Sequence, residues 1–312
     1  EIRLSLVGSE MCIRDRSLVT NVYREPGSGS SIKEVLEENV GKDFRKAQIK
    51  RDIAYINLQK EQGRLTSGEA DYWKEKIGNL QEYQYGYHKG WSMILDTLTW
   101  PVLIMMLICI GIAPIFAGEY QSKCDSLILC MKYGRSKLIL AKIISGWLYA
   151  TGVYWGITLI YSSIYMIFLG TQGADLPIQL KYPAMSVGYN LTMGEAVGIT
   201  LLLGYFFTLG IMGITLFMSA LLKNTYAVII VAFLLIIIPT FLSLDTGGYV
   251  WSHVLSLLPP KIADFSFQSY TAYSIGNIVL SWPVMAILVN AIVAVLCSVL
   301  GYIIFRKHQV NK

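Results

Sequence analysis

Five stretches of this chain carry no Asp, Glu, Lys, Arg or His. They lie between Asp96 and Glu119, Lys142 and Asp175, Glu195 and Lys223, Lys223 and Asp245, and Asp264 and Arg306. Around them run apolar segments at approximately 91–117, 138–169, 194–222, 224–244 and 277–305. Each reaches or exceeds the ~20 residues a helix needs to cross a bilayer core. In hydrocarbon every backbone N–H and C=O must find a partner within the protein, so such runs fold as helices. The expectation is an all-α, polytopic membrane protein with five visible transmembrane helices. Composition agrees: 15% of residues are charged, 54% are hydrophobic and the mean hydropathy is +0.49, whereas soluble domains are roughly 25% charged. Pro101, Pro114, Pro239 and Pro283 lie in or near the runs and are expected to kink or end helices.

The basic residues set the orientation. After residue 90, one set of connections and the C-terminal tail carry Lys123, Lys132, Arg135, Lys137, Lys142, Lys223, Arg306, Lys307 and Lys312, and the alternate set carries only Lys181 and Lys261. The first set is therefore expected in the cytoplasm, with the C-terminus. Five crossings then place residues 17–90 outside. No span precedes residue 91 to export them. The segment LVGSEMCIRDR, Leu6–Arg16, resembles the translation of a transposon-based sequencing-library adapter: Met11–Arg16 back-translates to ATG TGT ATA AGA GAC AGR. On this reading residues 1–16 are an artefact and a sixth, N-terminal helix is missing. Residues 17–90 form an extracytoplasmic helical segment, and 91–312 the transmembrane domain. The intact protein would have six spans and both ends in the cytoplasm.

Residues 17–90 carry twelve Lys+Arg against eleven Asp+Glu. Ile49, Ile53 and Ile56 share one face of a helix running to about Gln62, with Gly63 as its cap. Thr66-Ser-Gly-Glu69 is a capping box opening a second helix, with Tyr72, Trp73, Ile77 and Leu80 as its apolar positions. Together they predict a helical hairpin with solvated charges. In the connection at 245–276, Trp251, Phe265, Phe267, Tyr270 and Tyr273 predict an interfacial aromatic belt or short re-entrant helices. Gly194 and Gly198 form a GxxxG, a weak motif for close helix packing.

Chemistry is sparse. His88, His253 and His308 are far apart, and there is no HExxH, GxSxG, phosphate loop or carboxylate cluster. Apart from the artefact's Cys12, Cys109 and Cys297 lie in apolar spans and Cys124 and Cys130 in the basic connection, which is neither a disulfide framework nor a metal pattern. The modest net charge of +5 gives no nucleic-acid signal. No cofactor, metal or catalytic set is expected. Carriers driven by protons or sodium place ionisable groups near the bilayer midplane. Here charges sit at span ends, Asp96 coming nearest to an exception, so any driving energy is expected from outside the membrane.

That points to Gly118–Lys142, GEYQSKCDSLILCMKYGRSKLILAK. Tyr120, Cys124, Leu127, Ile128 and Met131 follow a 3.6-residue period, with Glu119, Gln121, Ser122, Asp125 and Lys132 around the other side. The spacing predicts one amphipathic helix over 119–131 on the membrane surface, ended by Gly134 in a left-handed cap. Arg135, Lys137 and Lys142 follow.

The stretch Ile112–Lys142 resembles the permease subunits of ABC-2 type transporters, bacterial six-span proteins that include antibiotic, lantibiotic and polysaccharide exporters. In that family a span ends in a small residue and Glu, an amphipathic segment follows, then a basic residue, and Ala-Lys opens the next span. Here these are Gly118-Glu119, the segment to Met131, Arg135 and Ala141-Lys142. Span spacing and basic tail agree over roughly 91–312. The outer hairpin resembles that of Gram-positive exporters. The family often has Pro before the Arg, where this chain has Tyr133-Gly134. The resemblance implies a multi-pass protein of the bacterial plasma membrane and no enzyme in itself. Its partners would be the lipid bilayer, a second permease copy or related permease, and a separate ATP-binding cassette subunit that hydrolyses ATP. It implies a coupling segment of Glu119, Tyr120, Lys123, Asp125, Leu127, Ile128, Met131, Arg135 and Lys142, with Glu119 and Arg135 as contact or hinge charges. Two other classes compete: a non-transporting membrane sensor or scaffold using the outer hairpin to bind a ligand, and an intramembrane enzyme, which the missing acid, base and metal sets disfavour.

Overall fold

The computed structural model describes residues 44–78, 86–97, 100–134, 136–182, 187–242, 248–276 and 278–307. The adapter-like stretch, Leu80 and His308 lie outside them. The chain is mostly helical. Four helical spans among the described residues are long and apolar enough to cross a membrane: Pro101–Gln121, Lys137–Leu169, Met193–Leu221 and Trp282–Lys307. The chain divides into two compact units, one of residues 1–88, 172–196 and 266–279 and a larger one of 89–171, 197–265 and 280–312. The smaller unit thus draws in two later segments that sequence alone left as connections within 91–312.

In the smaller unit, α1 (Phe44–Glu61) packs on α2 (Ser67–Gly78) as the expected hairpin. Gly63, at φ +70°, adopts the left-handed conformation that closes α1, and the Arg64 N–H bonds back to the Gln59 carbonyl at 2.9 Å. The capping box forms: the Thr66 N–H donates to Glu69 Oε2 at 2.9 Å and the Glu69 N–H to Thr66 Oγ1 at 3.4 Å. A second box, Thr192 with Glu195, opens a later helix with the same reciprocal bonds. Its signal in the sequence is the Thr192-Met-Gly-Glu195 pattern. Ile56, Trp73 and Ile77 are buried, with Tyr270 and Ala272 from the distant third segment. Trp73 meets Tyr189 and Tyr270 edge-on, at centroid distances of 5.0 and 5.4 Å, and Tyr189 meets Phe267 likewise at 5.4 Å. Phe267 and Tyr270 are therefore core residues here, not members of an interfacial belt.

In the larger unit the first apolar run is three helices rather than one: α3 (Lys89–Asp96), α4 (Trp100–Ile112) and α5 (Pro114–Gln121). Proline lacks the N–H that a continuous helix would bond at residue 114. Next come α6 (Asp125–Cys130), α7 (Lys137–Leu169), α8 (Met193–Leu221) and α9 (Thr225–Phe241). Asn224 caps α9 by accepting from the Tyr226 N–H at 2.9 Å. With 17 residues, α9 spans only about 25 Å and falls short of the ~30 Å hydrocarbon core. A short helix, α10 (Gly248–Ser256), and a 3₁₀ turn at Pro259–Asp264 follow, as the re-entrant reading allows. The turn packs on α9 and α4, and its buried Lys261 donates to the Leu242 carbonyl at 2.6 Å and to Asp264 Oδ2 at 2.5 Å. Phe265 stacks on Trp282 at 4.4 Å. From the smaller unit, a two-stranded hairpin, β1 (Ala272–Ile275) and β2 (Ile278–Ser281), leads along the chain into α11 (Trp282–Lys307), so the last span starts later than the apolar run.

The central helix is α8: 61% of its most apolar window is buried, against 11% for α7. Close approach to α11 is made by Gly210 and Gly213, where an added Cβ would lie 2.6 Å from Asn290 Oδ1 and 2.7 Å from Ala294 Cα. The GxxxG glycine Gly198 faces open space instead.

Tyr189 supplies a test of the smaller unit. The residue is partly exposed, but its hydroxyl is buried without a hydrogen-bond partner among the described residues. Burial, with Tyr72 adding a smaller push, raises its pKa above the ordinary tyrosine range. An unfolded tyrosine ionises near pH 10, roughly, while the folded one stays neutral. The stability this provides is fully present below about pH 10 and declines above it. Unfolding of wild type and Tyr189→Phe, followed across pH 7–11, should show a constant difference up to about pH 10. Above that pH the wild type should lose stability relative to the variant.

Candidate functional site

The segment between the first two candidate spans is built from a repaired helix break, a tight helix stop and an ion pair. The break is at Pro114. The Ser219 hydroxyl of α8 donates to the Ala113 carbonyl at 2.7 Å and accepts from the Phe116 and Ala117 N–H groups at 3.0 and 3.1 Å. One buried side chain thus satisfies three backbone groups at the break. Polar contacts continue from α4 and α5 to α8 and to the cap of α9. Cys109 Sγ lies 3.3 Å from Thr215 Oγ1, the Tyr120 hydroxyl donates to the Ala220 carbonyl at 3.1 Å, and Gln121 Nε2 donates to Asn224 Oδ1 at 3.0 Å.

The expected single helix over 119–131 does not form. Its first residues, Glu119 and Tyr120, complete α5. The chain then turns at Lys123, whose φ of +55° is the left-handed conformation usually taken by glycine. The Lys123 N–H bonds to the Tyr120 carbonyl at 3.2 Å and the Cys124 N–H to the Glu119 carbonyl at 3.0 Å, the paired bonds of a Schellman stop. Ser122 Oγ adds a bond to the Gly118 carbonyl at 2.8 Å. A new helix, α6, starts at Asp125 and ends at Cys130, with Met131 extended. Gly134 is not left-handed. It is required because a Cβ there would lie 1.7 Å from the Ile128 carbonyl oxygen, so the loop lies directly on α6. Periodicity missed the break because Lys123 carries no sequence mark of a helix stop.

The break redistributes the expected residues. Tyr120 turns inward and packs on Phe305 at 5.5 Å. Leu127 and Met131 stay exposed, at 71% and 53%, as do Lys123, Cys124, Cys130, Lys132, Tyr133 and Lys137, while Ile128 is half-buried. The ammonium groups of Lys132 and Lys137 lie 5.4 and 4.6 Å from the Tyr133 ring centroid. Asp125 opens α6, and Arg135 lies outside the described residues.

Glu119 and Lys142 stand at opposite ends of the segment and form an ion pair with each other. Lys142 Nζ also donates to the Ile115 carbonyl at 2.8 Å and lies 5.8 Å from the Phe116 ring. The side chains are only 15% and 22% exposed, so the pair is largely shielded. The second Glu119 oxygen is buried without a hydrogen-bond partner among the described residues. This clasp ties the end of α5 to the first turns of α7. It was not foreseen, because the two residues lie far apart in sequence. Among the described residues no three His, Cys, Asp or Glu side chains are grouped to hold a metal.

These features define a helical, polytopic membrane protein with a surface-exposed connection clasped between two spans. The chain belongs to a family of proteins of unknown function, DUF2705, whose family model matches residues 72–310. No curated protein and no solved structure matches it.

Two predictions follow from the stop and the clasp. Lys123→Val puts a β-branched residue at a left-handed position and should cost about 1–2 kcal/mol. Lys123→Gly should leave the detergent-solubilised protein at least as stable as wild type, as read by thermal unfolding. Glu119→Gln and Lys142→Met should each destabilise by about 1–3 kcal/mol. In a double-mutant cycle the pair should cost clearly less than the sum of the singles. Additive losses would mean that the pair does not interact.

Proposed function

We propose that this chain is the membrane-spanning permease subunit of an ATP-binding-cassette exporter in a bacterial plasma membrane. Its C-terminus and the 118–142 segment face the cytoplasm, and it works with a second permease copy and a separate ATPase. The observation that carries this reading is α6. It is a short helix with exposed Leu127 and Met131, bordered by Lys123, Lys132 and Lys137, and held by the clasped ends of two spans. Apolar side chains left exposed between basic ones suit a protein partner. Between Asp96 and Glu119 and between Lys142 and Asp175 the chain carries no Asp, Glu, Lys, Arg or His, which supports energy entering from outside the bilayer. In this mechanism Glu119 acts as a hinge charge. Leu127, Ile128 and Met131 make the docking contact, and ATP-driven closure of the partner pulls on α5 and α7 through the clasp. The cargo is amphipathic: a peptide, drug or lipid-like molecule.

Purification of the tagged full chain from its own membranes should recover a nucleotide-binding ATPase in equimolar amount. Leu127→Glu with Met131→Glu should abolish that recovery while the unfolding midpoint stays within about 2 °C of wild type, as exposed substitutions usually do. Recovery without any ATPase, or with a sensor kinase in its place, would overturn the exporter reading in favour of a sensor.

A further inference from the structure

Lys142 is committed to Glu119 and to the Ile115 carbonyl, but two other lysines of the same segment are not so engaged. Lys132 and Lys137 are exposed, and among the described residues neither ammonium pairs with a carboxylate. Both stand against one ring. Lys132 Nζ lies 5.4 Å and Lys137 Nζ 4.6 Å from the centroid of Tyr133, which is itself 49% exposed. Two like charges gathered at one ring repel each other, and an anion shared between them offsets that repulsion.

The turn that carries them is fixed to the span that follows. The Tyr133 carbonyl accepts from the Ser136 and Leu138 N–H groups, each at 3.2 Å, and Gly134 lies against the Ile128 carbonyl. The ring and both ammonium groups are thereby held at the first turn of α7.

The helix gives this place its second property. Lys137 shares a face of α7 with Leu140, Ile144 and Leu148, at i+3, i+7 and i+11. Those three side chains are 53%, 49% and 68% exposed, and α7 is the least buried of the four candidate spans among the described residues. On a spanning helix such a strip faces hydrocarbon. Helical side chains tilt toward the N-terminus, so Lys137 reaches back from the strip and past the end of α7.

A pair of cations on a tyrosine therefore stands at the head of an apolar strip that faces the bilayer. An acidic soluble protein meets the charges but not the strip. A zwitterionic lipid covers the strip but brings its own cation. An anionic phospholipid meets both: its phosphodiester accepts from the ammonium groups and its acyl chain lies on the strip. We propose that Lys132, Tyr133 and Lys137 bind the headgroup of an anionic phospholipid whose acyl chain lies along Leu140, Ile144 and Leu148. The site uses neither Leu127 nor Met131 and does not depend on the ATPase reading.

The test is native mass spectrometry of the full chain in detergent, titrated with dioleoyl phosphatidylglycerol or with dioleoyl phosphatidylcholine. The first phosphatidylglycerol should bind at least about fivefold more tightly than the first phosphatidylcholine. Lys132→Gln with Lys137→Gln should remove that preference while the unfolding midpoint stays within about 2 °C of wild type, because both side chains are exposed. Lys137→Gln alone should lower the preference, and carries the test if the double variant does not fold. Lys223→Gln removes an exposed lysine from the connection between α8 and α9 and should leave the preference intact. Equal binding of the two lipids, a wild-type preference in the folded double variant, or a loss in Lys223→Gln equal to that in Lys137→Gln would each overturn the proposal. Displacement of the bound lipid by millimolar inorganic phosphate would also overturn it, assigning the lysines to a free anion. Lost ATPase recovery in a double variant whose lipid preference is unchanged would assign them to a protein partner instead.

Discussion

The hydroxyl of Ser219 is the contact on which this architecture turns. Pro114 interrupts the first candidate span between two buried residues, Ala113 and Phe116, where an unmade backbone bond is costly. A buried side chain from α8 meets one carbonyl and two N–H groups around the interruption. The span therefore continues past the proline as α5 without leaving orphaned polar groups. The same bonds fix α5 against the most buried of the four candidate spans among the described residues. The position of Glu119, one turn further along α5, follows from that attachment.

From there the order of events is local. Glu119 meets Lys142 at the start of α7, the Schellman stop at Lys123 ends α5, and Gly134 lets the loop lie on α6. A clasp anchored in the spans and a small exposed helix beyond it make a rigid base with a presented surface. Without the clasp the α6 segment would be joined to the spans only by turns. The larger unit also shows how α9, too short for the full core, is completed. The 3₁₀ turn at Pro259–Asp264 packs on it, and Lys261 bonds to the Leu242 carbonyl at its end.

Much of this was legible in the sequence where one residue type implies one local geometry. The helical spans follow from charge-free runs, the hairpin boundaries from Gly63 and the Thr66–Glu69 box, and the start of α9 could be read from Asn224. What escaped depends on contacts between residues distant in the chain. Nothing in the pattern marks Lys123 as a left-handed stop, since lysine seldom takes that conformation, so an intact 3.6-residue period masked two helices. The pairing of Glu119 with Lys142 and the bridging by Ser219 need the tertiary fold before they exist. The density of aromatics at 265–273 suits a membrane interface or re-entrant helices equally well on sequence, whereas Phe267 and Tyr270 belong to a core that is completed only by a distant segment.

The central claim is that Ser219 holds α5 in place across the proline break, and with it everything up to Lys123. Hydrogen–deuterium exchange of the full chain in nanodiscs, comparing wild type with Ser219→Ala, addresses it directly. Losing bonds to two buried N–H groups should open that region by about 1–3 kcal/mol. Amides of residues 116–124 should therefore exchange roughly tenfold or more faster in the variant, while those of α1 and α2 keep their wild-type rates. Unchanged exchange across 116–124 would contradict the account.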